Sequence, residues 1–194
     1  MNPMLPLNLR VHEFAIFVRT LPPQPKRFSG GNAMASHEHI EVVRAGRDAI
    51  EHWQEEHRFE NLDLCGANLK ESILQNADLT GANLQVANLQ AANLQQANLS
   101  WADLRRARLR NAELHSADLH RAQLQEADLR GAVLRRANLV GIQLQGAKLQ
   151  GTDLRRASLD QANLQEASLA GARLDFLQRL TLWWNASKVS SNQK

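Results

Sequence analysis

Seven histidines, one cysteine and a scatter of carboxylates are the side chains of this chain that could act as acids, bases, nucleophiles or metal ligands. A structural zinc site needs several such ligands at short spacing. Four histidines lie on or beside one helical segment without that spacing and are predicted to be solvated: His37, His39, His52 and His57. His115 and His120 occupy the same position of successive repeat units, so they are predicted to lie on adjacent faces. No cysteine or carboxylate cluster lies beside them in the sequence. No metal site is predicted.

The carboxylates and the cysteine give no catalytic pattern either. Asp103, Asp118 and Asp128 point outward from a regular repeat and lack the pocket that tunes an acid–base pair. The sequence holds no phosphate-binding loop, nucleophile elbow or zinc-protease motif. Active sites usually sit on loops, and no loop interrupts residues 64–174. We therefore expect no enzyme activity and no cofactor.

The cellular compartment is predicted from the disulfides, membrane segments and signal peptide that the sequence lacks. The single Cys65 excludes an internal disulfide and fits a reducing compartment. No apolar run approaches the ~20 residues of a membrane helix, and Arg10, His12 and Glu13 interrupt the apolar start that a signal peptide would need. A cytoplasmic protein is the expectation.

The dominant feature of the chain is leucine at every fifth residue from Leu64 to Leu174, with alanine two residues before most of them. Leucines at this period would scatter around an α-helix and would alternate between the faces of a strand. A quarter turn after each short extended stretch removes the conflict. Four units then close a square coil, and the coils stack as parallel strands about 4.8 Å apart with leucine and alanine inside.

The consensus Ala-(Asn/Asp)-Leu-x-x over residues 59–175 resembles the pentapeptide-repeat family. The resemblance implies an all-β solenoid, a right-handed quadrilateral parallel β-helix, here of nearly six coils. Its hand comes from the resemblance alone. The alanine position departs from the consensus at Leu62, Ser72, Ile142 and Thr152, and the Asn/Asp position carries other residues at Ile73, Arg108, Val133, Lys148 and Arg173.

The segments on either side of the repeat are predicted to differ in role. Residues 36–58 read as one amphipathic capping α-helix that begins at Ser36 and covers the first coil. Residues 1–35 are predicted to be a disordered leader, or to lie upstream of a true start at Met34. Residues 176–194 are a C-terminal cap or a dimer contact followed by a disordered tail, and the two alternatives stay open. The residues of that cap or dimer contact are Phe176, Leu177, Leu180, Trp183 and Trp184.

Because every fourth unit shares a face, outward charges can be assigned to faces from the sequence. The Leu69 face has net charge +3 and carries Lys70, Arg108, Arg110, Arg130 and Lys148 against Glu71 and Asp128. The Leu74 face has net charge +2 and carries Arg135, Arg136, Arg155, Arg156 and Arg173 against Glu113, Asp153 and Asp175. The other two faces each come to −2. Stacked outward glutamines (Gln125, Gln145, Gln165) are predicted to form side-chain ladders.

Three functions are compatible with this pattern. The first is a non-catalytic scaffold that binds a protein partner through the faces or the capped end of a rigid solenoid. The second is binding of nucleic acid or another anionic partner. The third, known in part of the family, is mimicry of DNA toward a type II topoisomerase, which needs an acidic surface that a chain of pI near 9.5 does not offer. The candidate partner-binding residues are Arg110, Arg130, Arg135, Arg136, Arg155, Arg156 and Trp101.

Overall fold

The protein is described by a computed structural model that covers residues 35–58, 60–176 and 178. Two helices precede the repeat: α1, His37–Ala45, and α2, Arg47–Glu56. The prediction of one continuous helix over residues 36–58 is wrong. Gly46 separates the two helices at φ 96° and ψ −169°, a conformation open to glycine because it lacks a Cβ atom.

The repeat region is a solenoid whose coil period is set by its backbone pairing. Parallel β-bridges join each Asn/Asp position, hereafter the bridge position, to the residue 20 positions later, from Asp63–Asn83 to Asp153–Arg173. Four five-residue units per coil are thereby confirmed. Each bridge is isolated, and the described part of the chain contains no longer strand, so the extended stretches are shorter than predicted. The right hand of the coil stays a prediction from the resemblance.

Three backbone hydrogen bonds per unit tie each coil to its neighbours. The leucine N–H donates to the bridge-position carbonyl of the next coil, as from Leu64 to Asn83 at 2.7 Å. The second residue after each leucine donates likewise, as from Gly66 to Gln85 at 2.8 Å. The bridge-position N–H points the other way, as from Asn83 to the carbonyl of Leu62 at 2.9 Å. Three of the five N–H groups of each inner unit are thus bonded between coils.

A tight turn makes every corner of the coil. The leucine carbonyl accepts the N–H of the residue three positions later, as in Ser72 to Leu69 at 3.2 Å. The two residues between them are hereafter the first and second turn positions. The second turn position has positive φ at every corner from Gly66 to Gly171, which is the geometry of a type II turn. These turns supply the quarter circle that the sequence requires.

The interior consists of stacked leucine and alanine layers. Every leucine of the repeat from Leu64 to Leu154 exposes 2% or less of its surface. Each such side chain stabilises the fold by ~2 kcal/mol through removal of apolar area from water. Four leucines nearer the C-terminal end are only partly buried: Leu159, Leu164, Leu169 and Leu174.

The helices cover the first coil. Val43, Ile50 and Trp53 are buried in the same apolar cluster as the first leucines of the repeat. Gln54 Nε2 donates to the carbonyl of Asp78 at 3.0 Å, and Ala35 N donates to the carbonyl of Cys65 at 2.9 Å. In upper coils such carbonyls accept N–H groups from the coil below, so the helical segment takes the place of that missing coil.

At the other end, side chains replace the missing coil. The amide nitrogen of Gln178 donates to the carbonyls of Leu154 at 2.8 Å and Ala157 at 2.7 Å. Arg156 N donates to Asp175 Oδ2 at 2.6 Å. Leu177, Leu180, Trp183 and Trp184 lie outside the described residues, as does the leader through Met34. The choice between cap and dimer contact therefore stays a prediction.

Candidate functional site

Three arginines at the first turn position are paired with the aspartate of their own unit. Arg130 Nε lies 2.7 Å from Asp128 Oδ1. Arg155 Nε lies 2.8 Å from Asp153 Oδ1, and Arg105 repeats the arrangement with Asp103. A residue at the bridge position and one two positions later project from the same side of the coil, which gives the Asp-Leu-Arg sequence its fork-shaped pair. Two of the predicted partner-binding arginines, Arg130 and Arg155, are therefore held in fixed orientations.

These pairs shift the acid–base behaviour of the carboxylates. The hydrogen bond from Arg130 is the main reason that the pKa of Asp128 lies below its ordinary value. The hydrogen bond from Arg155 lowers the pKa of Asp153 in the same way. Both carboxylates therefore stay ionised to a lower pH than an unpaired aspartate does.

Two other candidate arginines lack a carboxylate in their own unit, and the same arrangement occurs on two faces. Arg110 follows the bridge residue Arg108 and reaches Asp128 in the next coil, with Nε–Oδ2 at 3.5 Å. Arg135 follows Val133, and its Nε is buried without a hydrogen-bond partner in the described structure. Asp153 and Arg155 lie above it as Asp128 and Arg130 lie above Arg110. In both places one carboxylate attracts two guanidinium groups: Asp128 attracts Arg110 and Arg130, and Asp153 attracts Arg135 and Arg155.

Four arginines meet at one corner of the solenoid, and we call this group the arginine corner: Arg135, Arg136, Arg155 and Arg156. They occupy the two turn positions of two consecutive coils on the Leu74 face. Arg136 and Arg156 are exposed, adopt φ of 58° and 62°, and make no ion pair within the described chain. The structure therefore brings these four predicted residues together, and two of the four lack an ion pair within the described residues.

The Leu69 face carries a shallow cleft of about 460 Å³. Lys70, Gln90, Arg110 and Arg130 run along it, one above another at the first turn position, and Ala91 and Gly131 contribute small residues. Lys70 is itself paired with Glu71, with Nζ–Oε1 at 3.1 Å. Each of the three cations that line this cleft thus lies beside a carboxylate.

Trp101 stands apart from the arginine corner, on the turn that follows the Leu79 face. The guanidinium carbon of Arg121 lies 4.8 Å from its ring centroid. The His120 ring contacts it edge-on at 6.0 Å. Trp101 is half-buried beneath these neighbours. The structure therefore does not join it to the other predicted partner-binding residues.

Two features differ from the sequence predictions: the surroundings of His39 and His57, and the glutamine ladder. His57, expected to be solvated, is part-buried and stacks on Trp53 with ring centroids 4.6 Å apart. His39, expected to be solvated, accepts a hydrogen bond from Asp63 N at its Nδ1, 2.8 Å away, and contacts Trp53 edge-on. The glutamine ladder does not form, because Gln145 donates within its own unit to Gln143 at 3.0 Å. Ladders form instead at the bridge position: Asn83 to Asp63, Asn88 to Asn68 and Asn138 to Asp118. The shorter asparagine reaches only the residue directly below it, which favours the ladder.

Other kinds of site are not found in the part of the chain that the structure describes. Residues 35–58, 60–176 and 178 contain no group of three or more histidine, cysteine or acidic side chains placed to hold a metal ion. Within the same ranges, neither helix has the length and hydrophobicity needed to cross a membrane.

Comparison with known proteins agrees with this geometry. The family model for pentapeptide repeats matches residues 58–85, 87–122, 97–136 and 137–175, with 8 copies of the repeat. The chain belongs to the pentapeptide-repeat family. No curated protein sequence matches it.

Solved structures of other pentapeptide-repeat proteins resemble this one. Rfr23 from the cyanobacterium Cyanothece 51142 is 32% identical, with 60% of this chain matching 63% of that one and a TM-score of 0.34. HetL from Nostoc sp. strain PCC 7120, involved in heterocyst differentiation regulation, is 36% identical over 59% of this chain and 64% of its own, with a TM-score of 0.31. QnrB1, a plasmid-mediated fluoroquinolone resistance protein, is 18% identical over 66% and 88%, with a TM-score of 0.37. This pentapeptide-repeat protein thus spans less than two thirds of the length of Rfr23 and HetL.

Proposed function

We propose that this pentapeptide-repeat protein is a non-catalytic binding module that holds a protein partner against its two basic faces. The observation that carries the proposal is the segregation of charge, with net +3 and +2 on the Leu69 and Leu74 faces and −2 on each of the others. Complementary charge steers a partner and fixes its orientation. A partner with an acidic surface would therefore meet one side of the solenoid.

Rigidity supports the same function. The inter-coil hydrogen bonds run without interruption through the described repeat, and the leucines from Leu64 to Leu154 are buried. A surface that is ordered before binding loses little conformational entropy when a partner docks. The absence of projecting loops within residues 64–174 argues for flat contact over a broad area and against catalysis.

The two alternative functions fit the site less well. A nucleic-acid backbone presents phosphates continuously, and Asp128, Asp153 and Asp175 interrupt the arginine columns that it would follow. A folded protein can instead place its carboxylates only opposite the arginines. Mimicry of DNA toward a type II topoisomerase requires an acidic surface, whereas half of this solenoid is basic. Either alternative would be supported by its own assay: salt-dependent retention of DNA, or inhibition of gyrase supercoiling.

The proposal is tested by affinity capture from the native host. The full chain is compared with a variant in which four exposed cations of the basic faces are reversed: Arg108→Glu, Arg136→Glu, Lys148→Glu and Arg156→Glu. The control variant, Arg106→Glu with Arg121→Glu, changes arginines at the second turn position on the acidic faces. We expect the proteins captured by the full chain to be retained by the control and lost by the basic-face variant. Identical capture by all three chains would contradict the proposal.

A further inference from the structure

The arginine corner differs from the other basic sites in how its charge is compensated. Asp153 is taken by Arg155, and Asp175 accepts the backbone N–H of Arg156. Arg136 and Arg156 are exposed and make no ion pair within the described residues, although the carboxylate of Asp175 lies beside the backbone of Arg156. Like charges stacked one coil apart are unfavourable unless an anion lies between them.

Arg135 supplies a second observation. Its Nε is buried and has no hydrogen-bond partner in the described structure. Arginine carries five N–H donors in a planar fork that matches the two oxygens of a carboxylate. This buried Nε is out of reach of a ligand in solvent, so hydrogen bonds to an anion would come from exposed guanidinium groups such as those of Arg136 and Arg156.

The corner is too short for a polymer backbone. Below it, the equivalent turn positions are His115 and Ser116, and above it the chain leaves the regular coil at Asp175 and Phe176. The cations therefore span only two coils, about 5 Å apart. A nucleic-acid strand that followed the column would leave the arginines within one step and meet the carboxylate of Asp175. A short segment with two or three carboxylates would need no more length than the corner offers.

Phe176 adds an apolar contact to the site. It follows Asp175, whose carboxylate accepts the Arg156 N–H, and the residue is 74% exposed. Aromatic side chains beside arginine are frequent anchors in protein interfaces. A ligand that places carboxylates on the arginines would bring its neighbouring residue onto this ring.

We propose that the arginine corner, together with Phe176, docks a short acidic segment of a partner protein that carries an apolar side chain next to its carboxylates. This inference rests on the proposed binding function and narrows it to one corner and one class of ligand. The remaining basic residues, on the Leu69 face, would then steer the partner without anchoring it.

The test measures fluorescence anisotropy with three labelled probes at low ionic strength: a short glutamate-rich peptide with one phenylalanine, the same peptide with glutamine in place of glutamate, and an oligothymidylate of equal length. Two variants carry the same charge change: Arg136→Glu/Arg156→Glu at the corner and Arg108→Glu/Lys148→Glu on the Leu69 face. Circular dichroism and thermal unfolding establish that both variants are folded.

We expect the full chain to bind the glutamate peptide and not its glutamine counterpart. The corner variant should bind it at least about tenfold more weakly, and the Leu69-face variant less than about threefold more weakly. Phe176→Ala, which leaves every charge in place, should weaken binding by about threefold or more.

Three results would overturn the inference: no binding of the glutamate peptide, equal loss in the two charge-reversal variants, or tighter binding of the oligothymidylate than of the peptide. The second result would leave the proposed function standing, because the basic half would still act through its net charge. Failure of the proposed function is seen separately, as partner capture that ignores all charge reversals.

Discussion

At the scale of single residues, the second turn position requires left-handed backbone in every unit, and glycine occupies a minority of these positions. Elsewhere the position holds residues such as Val86, Trp101 and Arg136, all at φ near 60°. Left-handed backbone costs a non-glycine residue ~1–2 kcal/mol. The closed hydrogen bonds and leucine layers offset this strain, because each coil holds the turns of its neighbours in place.

Val86→Gly should stabilise the protein. Val86 has φ 59° and is 54% exposed, so its β-branched side chain adds strain and little burial. We expect the free energy of unfolding in urea to rise by about 1 kcal/mol, since the relief of strain exceeds the greater freedom of glycine in the unfolded chain. Val140→Gly, at a first turn position without positive φ, is the matched control and should destabilise by about 0.5–1 kcal/mol. If both substitutions destabilise the protein, the positive φ of Val86 does not strain the folded backbone.

Asp153→Asn should alter the pH dependence of stability. The folded-state pKa of Asp153 lies below its ordinary value because Arg155 donates to the ionised carboxylate. The stability that this contributes is present above the unfolded pKa of about 3.9 and is lost as pH falls through the lower folded value.

In this experiment, denaturant unfolding should show the variant about 1 kcal/mol less stable at neutral pH, with a difference that shrinks as pH falls below the unfolded pKa of about 3.9. Asp160→Asn, at an exposed carboxylate without an ion pair in the described chain, serves as control and should change little. A constant difference across the whole range would exclude the ion pair as its cause.

At the scale of elements, the repeat needs different devices at its two ends. The helical segment satisfies the first coil with one imidazole, one side-chain amide and one backbone N–H, whereas Asp175 and Gln178 bond to the coil beneath them at the other end. Isolated helices as short as α1 and α2 are marginal in water. Their stability therefore comes from the contacts of Val43, Ile50 and Trp53 with the leucine core.

His39→Ala should loosen the junction between the helices and the solenoid. Removal of the imidazole leaves Asp63 N without an acceptor and Trp53 without its edge contact. We expect a loss of about 1–3 kcal/mol in the free energy of unfolding and faster hydrogen exchange at the Asp63 amide. His37→Ala, at an exposed position of the same helix, should leave both measurements unchanged. Equal effects of the two substitutions would argue against the hydrogen bond between Asp63 N and His39.

At the scale of the whole molecule, the stability of the solenoid is built up coil by coil along its axis. Each coil contacts only the coils above and below it, so stability is a sum of unit and neighbour contributions. The same regularity carries the charge pattern, because side chains 20 residues apart lie one above another. Insertions or deletions of a whole coil therefore leave the faces unchanged.

Deletion of residues 101–120 removes one coil and should leave a folded, shorter solenoid. The leucine period is unbroken across the new junction, and the arginine corner keeps its place on the Leu74 face. We expect a β-type circular dichroism spectrum and a lower urea m-value, since less surface is exposed on unfolding. Deletion of residues 101–118 moves every later leucine out of period and should abolish cooperative unfolding of the upper coils. Similar behaviour of the two chains would refute the coil period.

The sequence alone determined the coil, its leucine interior and the assignment of charges to faces, since these follow from a period of five that only one backbone path can bury. The tertiary structure decided the break at Gly46, the role of His39, the asparagine ladders and the pairing that occupies Arg155 and spares Arg136. Backbone position repeats with the sequence, so it can be deduced from spacing. The partner of a long polar side chain depends instead on ångström distances between coils, where several donors and acceptors compete on nearly equal terms.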